Sequence, residues 1–117
     1  MGGSTMTTFT TEQVNVPASA TTTNLLSGDL TEFMPVLSEV NVWAVASAAN
    51  VNMILLADSD VVINDQEITS IGTSINNVDH LIATFLAAAQ TRLSLKLRET
   101  AGTGTQDVLI KLTVEPA

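Results

Sequence analysis

Between residues 92 and 115 the side chains alternate twice. Leu93, Leu95 and Leu97 take turns with Ser94, Lys96 and Arg98. Val108, Ile110, Leu112 and Val114 take turns with Asp107, Lys111, Thr113 and Glu115, with Leu109 the one intruder. A period of two sends alternate side chains to opposite faces of a strand. Each segment therefore predicts a strand with one apolar face, and Pro116 ends the second because proline cannot donate to a ladder. The turn-rich stretch 100–106, with Gly102 and Gly104, predicts that the two strands form a β-hairpin. Leu93, Leu95, Leu97, Ile110, Leu112 and Val114 are the expected core, and Lys96 and Lys111 the expected outer face. A sheet with one apolar face must bury it against a second layer.

The middle of the chain repeats the pattern. Over 37–46, Val40, Val42 and Ala44 alternate with Glu39, Asn41, Trp43 and Val45. Over 50–57, Val51, Met53 and Leu55 share a face, while Ile54 and Leu56 make the other face apolar too, which predicts burial on both sides or an interface. Asp58-Ser59-Asp60 reads as a turn, 61–63 as a short strand, Asn64-Asp65 as a second turn and 66–71 as another strand. The two-residue Asn64-Asp65 link between β-branched runs predicts a hairpin. Several short strands at this spacing point to an antiparallel β-sandwich.

Residues 77–90 support two readings. Val78, Leu81, Ile82, Phe85, Leu86 and Ala89 fit one face of a helix, with Asn77 as its cap. The alternative is a strand over 80–85 followed by a small-residue turn over 87–90. The β context favours a mainly β fold, with room for one short helix near 77–90.

Residues 1–24 differ in kind. Eight are threonine (5, 7, 8, 10, 11, 21, 22 and 23), there is no helical period, and Pro17 interrupts the run. Threonine favours extended backbone. The chain therefore divides into an extended N-terminal arm, 1–24, and a β-sandwich domain, 25–117. The arm has few apolar anchors: Met6, Phe9, Val14 and Val16. It either lies across neighbouring subunits or supplies a strand that pairs within its own domain.

Charge narrows the functional classes. The 117 residues carry 12 acidic and 4 basic side chains, a net of −8. All four cations (Arg92, Lys96, Arg98, Lys111) lie in the last 26 positions, and nine carboxylates precede them without a Lys or Arg. Direct nucleic-acid binding is not expected, because its affinity comes mainly from Lys and Arg neutralising phosphates. Neither is docking on anionic membranes. The apolar runs 51–57 and 80–89 fall far short of the roughly 20 residues of a membrane helix, so no membrane span is expected. No basic and apolar leader opens the sequence, so synthesis in a cytoplasm without a secretory signal is expected.

No constellation points to chemistry. There is no cysteine and one histidine. His80 beside Asp79 lacks a nucleophile elbow to serve. Asp58, Ser59 and Asp60 with Asp65 and Glu67 fail the calcium-loop spacing, since positions 5, 6 and 12 counted from Asp58 are Val62, Ile63 and Thr69. Gly102-Thr103-Gly104 leads into a strand, not the helix N-terminus that binds phosphate. No catalytic, cofactor or metal residue is assigned, and the chain is not expected to be an enzyme. Aromatics make up 3% of the chain, too few for a stacking platform. Trp43, mid-strand, is a better core or interface anchor.

An arm followed by short strands at 41–45, 53–56 and 61–66, closing on 93–114, resembles a small single jelly-roll protein of a virus or bacteriophage shell. That class is a β-sandwich of eight strands in two Greek keys. The resemblance covers about residues 30–116 and implies a structural virion protein. Its partners would be other copies of itself and other shell proteins. Charged residues are only 14% of the chain, against roughly 25% in ordinary domains, which suits extensive burial against neighbours. Phe9, Val14, Val16, Trp43, Arg92, Lys96, Arg98 and Lys111 are the expected interface residues, the cations meeting a neighbour's carboxylates. The alternative is a receptor- or glycan-binding head module on the same sandwich.

Overall fold

The computed structural model describes residues 7–11, 14–69, 71–72, 75, 80–102 and 104–117. These form eight strands: β1 (Thr7–Thr10), β2 (Val14–Val16), β3 (Ser38–Ala46), β4 (Val51–Ala57), β5 (Asp60–Glu67), β6 (Leu81–Ala87), β7 (Leu93–Glu99) and β8 (Gln106–Pro116). There is no helix among the described residues. One antiparallel sheet has the order β1-β8-β3-β6, with β2 also on β8, and the other has the order β5-β4-β7. Their apolar faces share one core. Val40, Val42 and Ala44 of β3 and Ile110 and Leu112 of β8 meet Val51 and Leu55 of β4 and Leu93, Leu95 and Leu97 of β7, all fully buried.

The period-two segments thus bury the expected faces, but they do not pair with each other. β7 hydrogen-bonds to β4 and β8 to β3, in different sheets. The expected hairpin is instead a crossing between layers. Alternation fixes which face is buried and leaves the neighbouring strand open. Here two apolar faces satisfy each other across the sandwich, which a shared sheet would not allow.

A second turn moves. The β4–β5 hairpin closes at Asp58-Ser59, with Ala57 opposite Asp60 and Asp58 at φ 55°. Asn64-Asp65, expected as a hairpin turn between two strands, lies inside the single strand β5. Leu55 pairs with Ile63 and Met53 with Gln66, so β5 carries one extra residue there, and Asp65 takes φ 51°. This is a β-bulge. Another register shift falls between Leu55 and Leu56.

The ambiguous stretch is a strand where it is described. β6 pairs with β3, placing Phe85 opposite Val40 and Ala83 opposite Val42. The short helix allowed near 77–90 is absent over 80–90, while 77–79 lie outside the described residues. Tertiary pairing overrides the helical spacing. The turn after it ends with Gln90 at φ 68° and a Thr91 amide donating to Ala88 C=O at 3.2 Å.

Of the Thr-rich segment, β1 and β2 run along one edge of β8, with Thr7 opposite Val114 and Val14 opposite Val108. Over these residues the own-domain pairing is the arrangement present. Met6 lies outside the described residues.

The free side of β7 is covered by irregular chain rather than by a strand. Thr22 N–H donates to Leu97 C=O at 2.8 Å, and the Leu97 amide donates to Thr22 Oγ1 at 3.0 Å. Leu25 N–H donates to Leu95 C=O at 2.8 Å, and Leu93 N–H to Glu32 C=O at 2.7 Å. Segment 20–34 is therefore a strap along β7.

Candidate interaction surface

The eight interface candidates separate into anchors and surface groups. Val16 is fully buried, and Phe9 and Val14 are half-buried against the core. These three hold the N-terminal strands to their own domain. Trp43 stands half-exposed on the outer face of its sheet, directly opposite Lys111, whose Nζ lies 4.9 Å from the ring centroid. A cation over an aromatic face is attracted by the ring quadrupole.

Besides Lys111 on Trp43, two more of the four cations expected to meet a neighbour's carboxylates are engaged within the chain, both in ion pairs. Arg98 grips Asp65 with two hydrogen bonds, Nε to Oδ1 at 3.0 Å and Nη2 to Oδ2. The bulge makes this possible, because its extra residue turns Asp65 back over Asn52 toward β7, and Asn52 Nδ2 donates to Asp65 C=O at 2.9 Å. The Arg98 hydrogen bonds hold the Asp65 carboxyl below its usual range, and the same contacts raise Arg98. Arg92 Nε donates to Glu32 Oε2 at 2.7 Å. Glu32 is held low first by the Gly28 N–H (2.9 Å) and then by Arg92, against the opposing effect of burial. Lys96 forms no ion pair among the described residues and sits beside Ile54 on the outer face of its sheet.

The acidic turn cluster disperses. Asp58 Oδ1 accepts from the Arg92 amide at 3.0 Å, and Asp65 belongs to Arg98. No three His, Asp or Glu side chains gather as a cation site among the described residues. Nor is any helix there long and apolar enough to cross a membrane.

A third carboxylate is held by backbone amides, with no ion pair among the described residues. Glu99, at the end of β7, is 1% exposed and accepts from three backbone amides: Gly102 at 2.7 Å, Ser19 at 2.9 Å and Ala101 at 3.1 Å. The Ser19 and Gly102 hydrogen bonds, then that of Ala101, hold it below the usual glutamate range although burial opposes them. Glu99 and Glu32 thus secure the strap near its two ends. Neither carboxylate was singled out in the sequence, because nothing local distinguishes a buried Glu from a solvated one.

The largest unforeseen feature is apolar. Leu30 is 85% exposed, and Phe33, Val36 and Leu37 are about half exposed. Leu30 and Phe33 lie in the last part of the strap, and Val36 and Leu37 between it and β3. Hydrogen bonds draw this loop to one end of the sandwich: Gln90 N–H donates to Met34 C=O at 2.7 Å, and Ala117 N–H to Leu37 C=O at 2.9 Å. Leu86 of β6, 64% exposed, lies toward the same end, one residue before the Ser38–Ala87 pair. The signal was the apolar density of 30–37, which lacks a period and so drew no assignment. A contiguous exposed apolar patch marks a site of association. On the open side of the sandwich, between β5 and β6, a cleft of about 220 Å³ is lined by Met53, Ile63, Ile68, Leu81 and Ile82 with Gln66, Glu67 and Thr69.

Comparison with protein-family models, with curated proteins and with solved structures finds no match to this chain.

Proposed function

We propose that this chain is a structural subunit of a virus or bacteriophage shell, folded as a jelly roll and working by self-association. The strand order carries the reading. Apart from β4 and β5, no two consecutive full-length strands from β3 to β8 lie side by side in one sheet. The chain winds from layer to layer, and β8 closes against β1 and β2. The strap along β7, with isolated bridges at Thr21–Arg98 and Phe33–Arg92, stands where a fourth strand would complete the smaller sheet. A double-sheet winding of eight such positions is the jelly-roll plan, used in capsid and lectin domains.

The surface supports assembly over catalysis. Leu30, Phe33, Val36, Leu37 and Leu86 leave apolar area at one end that a second molecule would bury. The partners are other copies of the chain and further shell proteins, the destination is the virion, and no chemical step is assigned. Purified protein, sized by light scattering and imaged by electron microscopy, should form large particles or lattices. A small oligomer of defined size would overturn this reading and favour a receptor- or glycan-binding head module.

A further inference from the structure

The N-terminal segment docks along one side of the sandwich. Among the described residues, β1 and β2 pair only with β8. The strap runs antiparallel to β7, from the Glu99 amide on Ala20 C=O to the Met34 amide on Thr91 C=O. Residues 17–19 alone separate β2 from the strap, so the segment passes from one layer to the other on the side that β7 and β8 share. Val16, Leu26 and Met34 carry it into the core.

The strands that follow hold together without it. β3 pairs with β6 and β8, and β4 with β5 and β7. A short link, Pro35-Val36-Leu37, joins the segment to this body. All three residues are bent, which brings the chain from Met34, bonded to the Gln90–Thr91 turn, round to Ser38 at the start of β3. The bend works against its own sequence. Pro35 favours extended backbone at Met34, and Val36 and Leu37 are left about half exposed.

We infer that the segment is exchanged between copies: β1, β2 and the strap of one chain dock on β8 and β7 of a second. This rests on the self-association reading and names the piece of chain that carries it. Exchange of an identical element is a low-cost route to association, because each docked contact has the same form within one chain or between two. The occupant is fixed by detail. Glu99 takes the Ser19 amide, the Asn24 carboxamide bonds Leu93 and Leu95, and Arg92 takes Glu32. A strand of another sequence would not bring those groups to those places.

The contacts that exchange adds lie at the links. Straightened, each link leads away from its own body, and the two run past each other. They carry no charge, and Val36 and Leu37 of both copies cover one another there. That burial favours the pair and opposes the repulsion between two chains of net −8.

The chain has no cysteine, so introduced thiols report this pairing without background. Asn15 lies opposite Asp107 across β2 and β8. Directly opposite Cβ atoms are about 4.5–5.5 Å apart, close to disulfide reach. The double variant Asn15→Cys/Asp107→Cys, assembled, oxidised and denatured without reductant, should run as chains linked to one another, and as single chains once reduced. Assembled material in which the thiols are consumed within single chains would overturn exchange and leave self-association standing. Link length gives a second measure. Six Gly/Ser residues inserted between Val36 and Leu37 ease the return of the segment to its own body and should reduce assembly at least tenfold at equal concentration, with the circular dichroism unchanged. Removal of Val36 and Leu37 leaves about 7.6 Å of chain to cross layers about 10 Å apart, so that variant should fold only as an oligomer. Unchanged assembly after the insertion, or a folded monomer after the deletion, would overturn exchange whether or not the thiols oxidise. Wild-type protein that stays monomeric at every concentration would overturn both readings.

Discussion

Asn24 does for Leu95 what a neighbouring strand would do. Its Oδ1 accepts from the Leu95 amide at 2.9 Å and also from the Leu26 amide at 3.0 Å, while Nδ2 donates to Leu93 C=O at 3.2 Å. One carboxamide thereby satisfies β7 backbone groups that irregular chain would otherwise leave open. Asn24→Ala should destabilise the domain by about 1–3 kcal/mol, the cost of stranding partly buried backbone groups. Urea titration measures the loss, and hydrogen exchange at the Leu95 amide should quicken. Asn24→Asp, which keeps the acceptor and loses the donor, should fall between wild type and alanine.

Acid should loosen the strap. Glu99 and Glu32 both titrate below the usual glutamate value near 4.5, because backbone amides, and for Glu32 also Arg92, stabilise the ionised form in the folded chain. A carboxylate with a lowered folded pKa contributes stability that is complete above its unfolded value and is lost as pH falls through the folded one. Stability should therefore hold from neutrality down to about pH 4.5 and decline below it. Glu99→Gln should lower the melting temperature at pH 7 and flatten the decline. An unchanged acid slope in that variant would refute the assignment to Glu99.

Leu95→Ala should cost about 2–5 kcal/mol, as a fully buried leucine at the centre of the shared core. A loss under about 0.5 kcal/mol in denaturant titration would mean the faces of β7 are reversed.

The two outward cations of β7 should behave differently. Lys96→Glu should leave stability within about 0.5 kcal/mol, as surface changes usually do. Arg98→Glu should lower the urea midpoint, since it sets a carboxylate against Asp65 in the bulge. Equal midpoints for the two variants would refute the Arg98–Asp65 clamp as a structural element.

Gly102→Ala should destabilise by about 1–2 kcal/mol, the ordinary cost of a left-handed backbone for a residue with a Cβ. Gly102 sits at φ 72°, and an added Cβ would stand 2.9 Å from Ser19 Oγ. Thermal melts of the variant beside Gly104→Ala, where a Cβ meets nothing within 4 Å, separate this position from a general loop effect.

What the sequence made legible was orientation. Alternation at Leu93, Leu95 and Leu97 and at Ile110, Leu112 and Val114 named the buried faces, and all six are buried. Partner choice was illegible, because period two is the same whether the facing surface belongs to the next strand's sheet or to the opposite layer. Asn64-Asp65 shows a related ambiguity. Residues that tolerate positive φ serve a turn and a bulge equally well, and only the Met53–Gln66 register distinguishes them. The 81–87 segment carries helical spacing and strand-compatible residues together, and pairing with Val40 and Val42 decides between them. For the interaction surface, Trp43 and Lys111 were named in the sequence and stand on the outer face as a pair. The exposed 30–37 loop and the strap carboxylates were missed. Their roles come from long-range hydrogen bonds, which leave no local pattern.

β8 has a further consequence, in the order of events. It lies between β3 and the β1–β2 edge, yet it follows all of them in the chain. During synthesis, β1, β2 and β3 emerge without the strand that joins them, and the larger sheet cannot close until residues 106–116 arrive. Pairings that span nearly the whole chain, such as Thr7 with Val114, form slowly because the loop must close before the contact rewards it. Until then β3 has only β6 beside it in an incomplete sheet, with its other side open to other nascent chains. The strand that completes the fold is thus also a timer. It keeps the larger sheet unfinished until residues 106–116 have emerged, and conditions that delay its docking should favour aggregation.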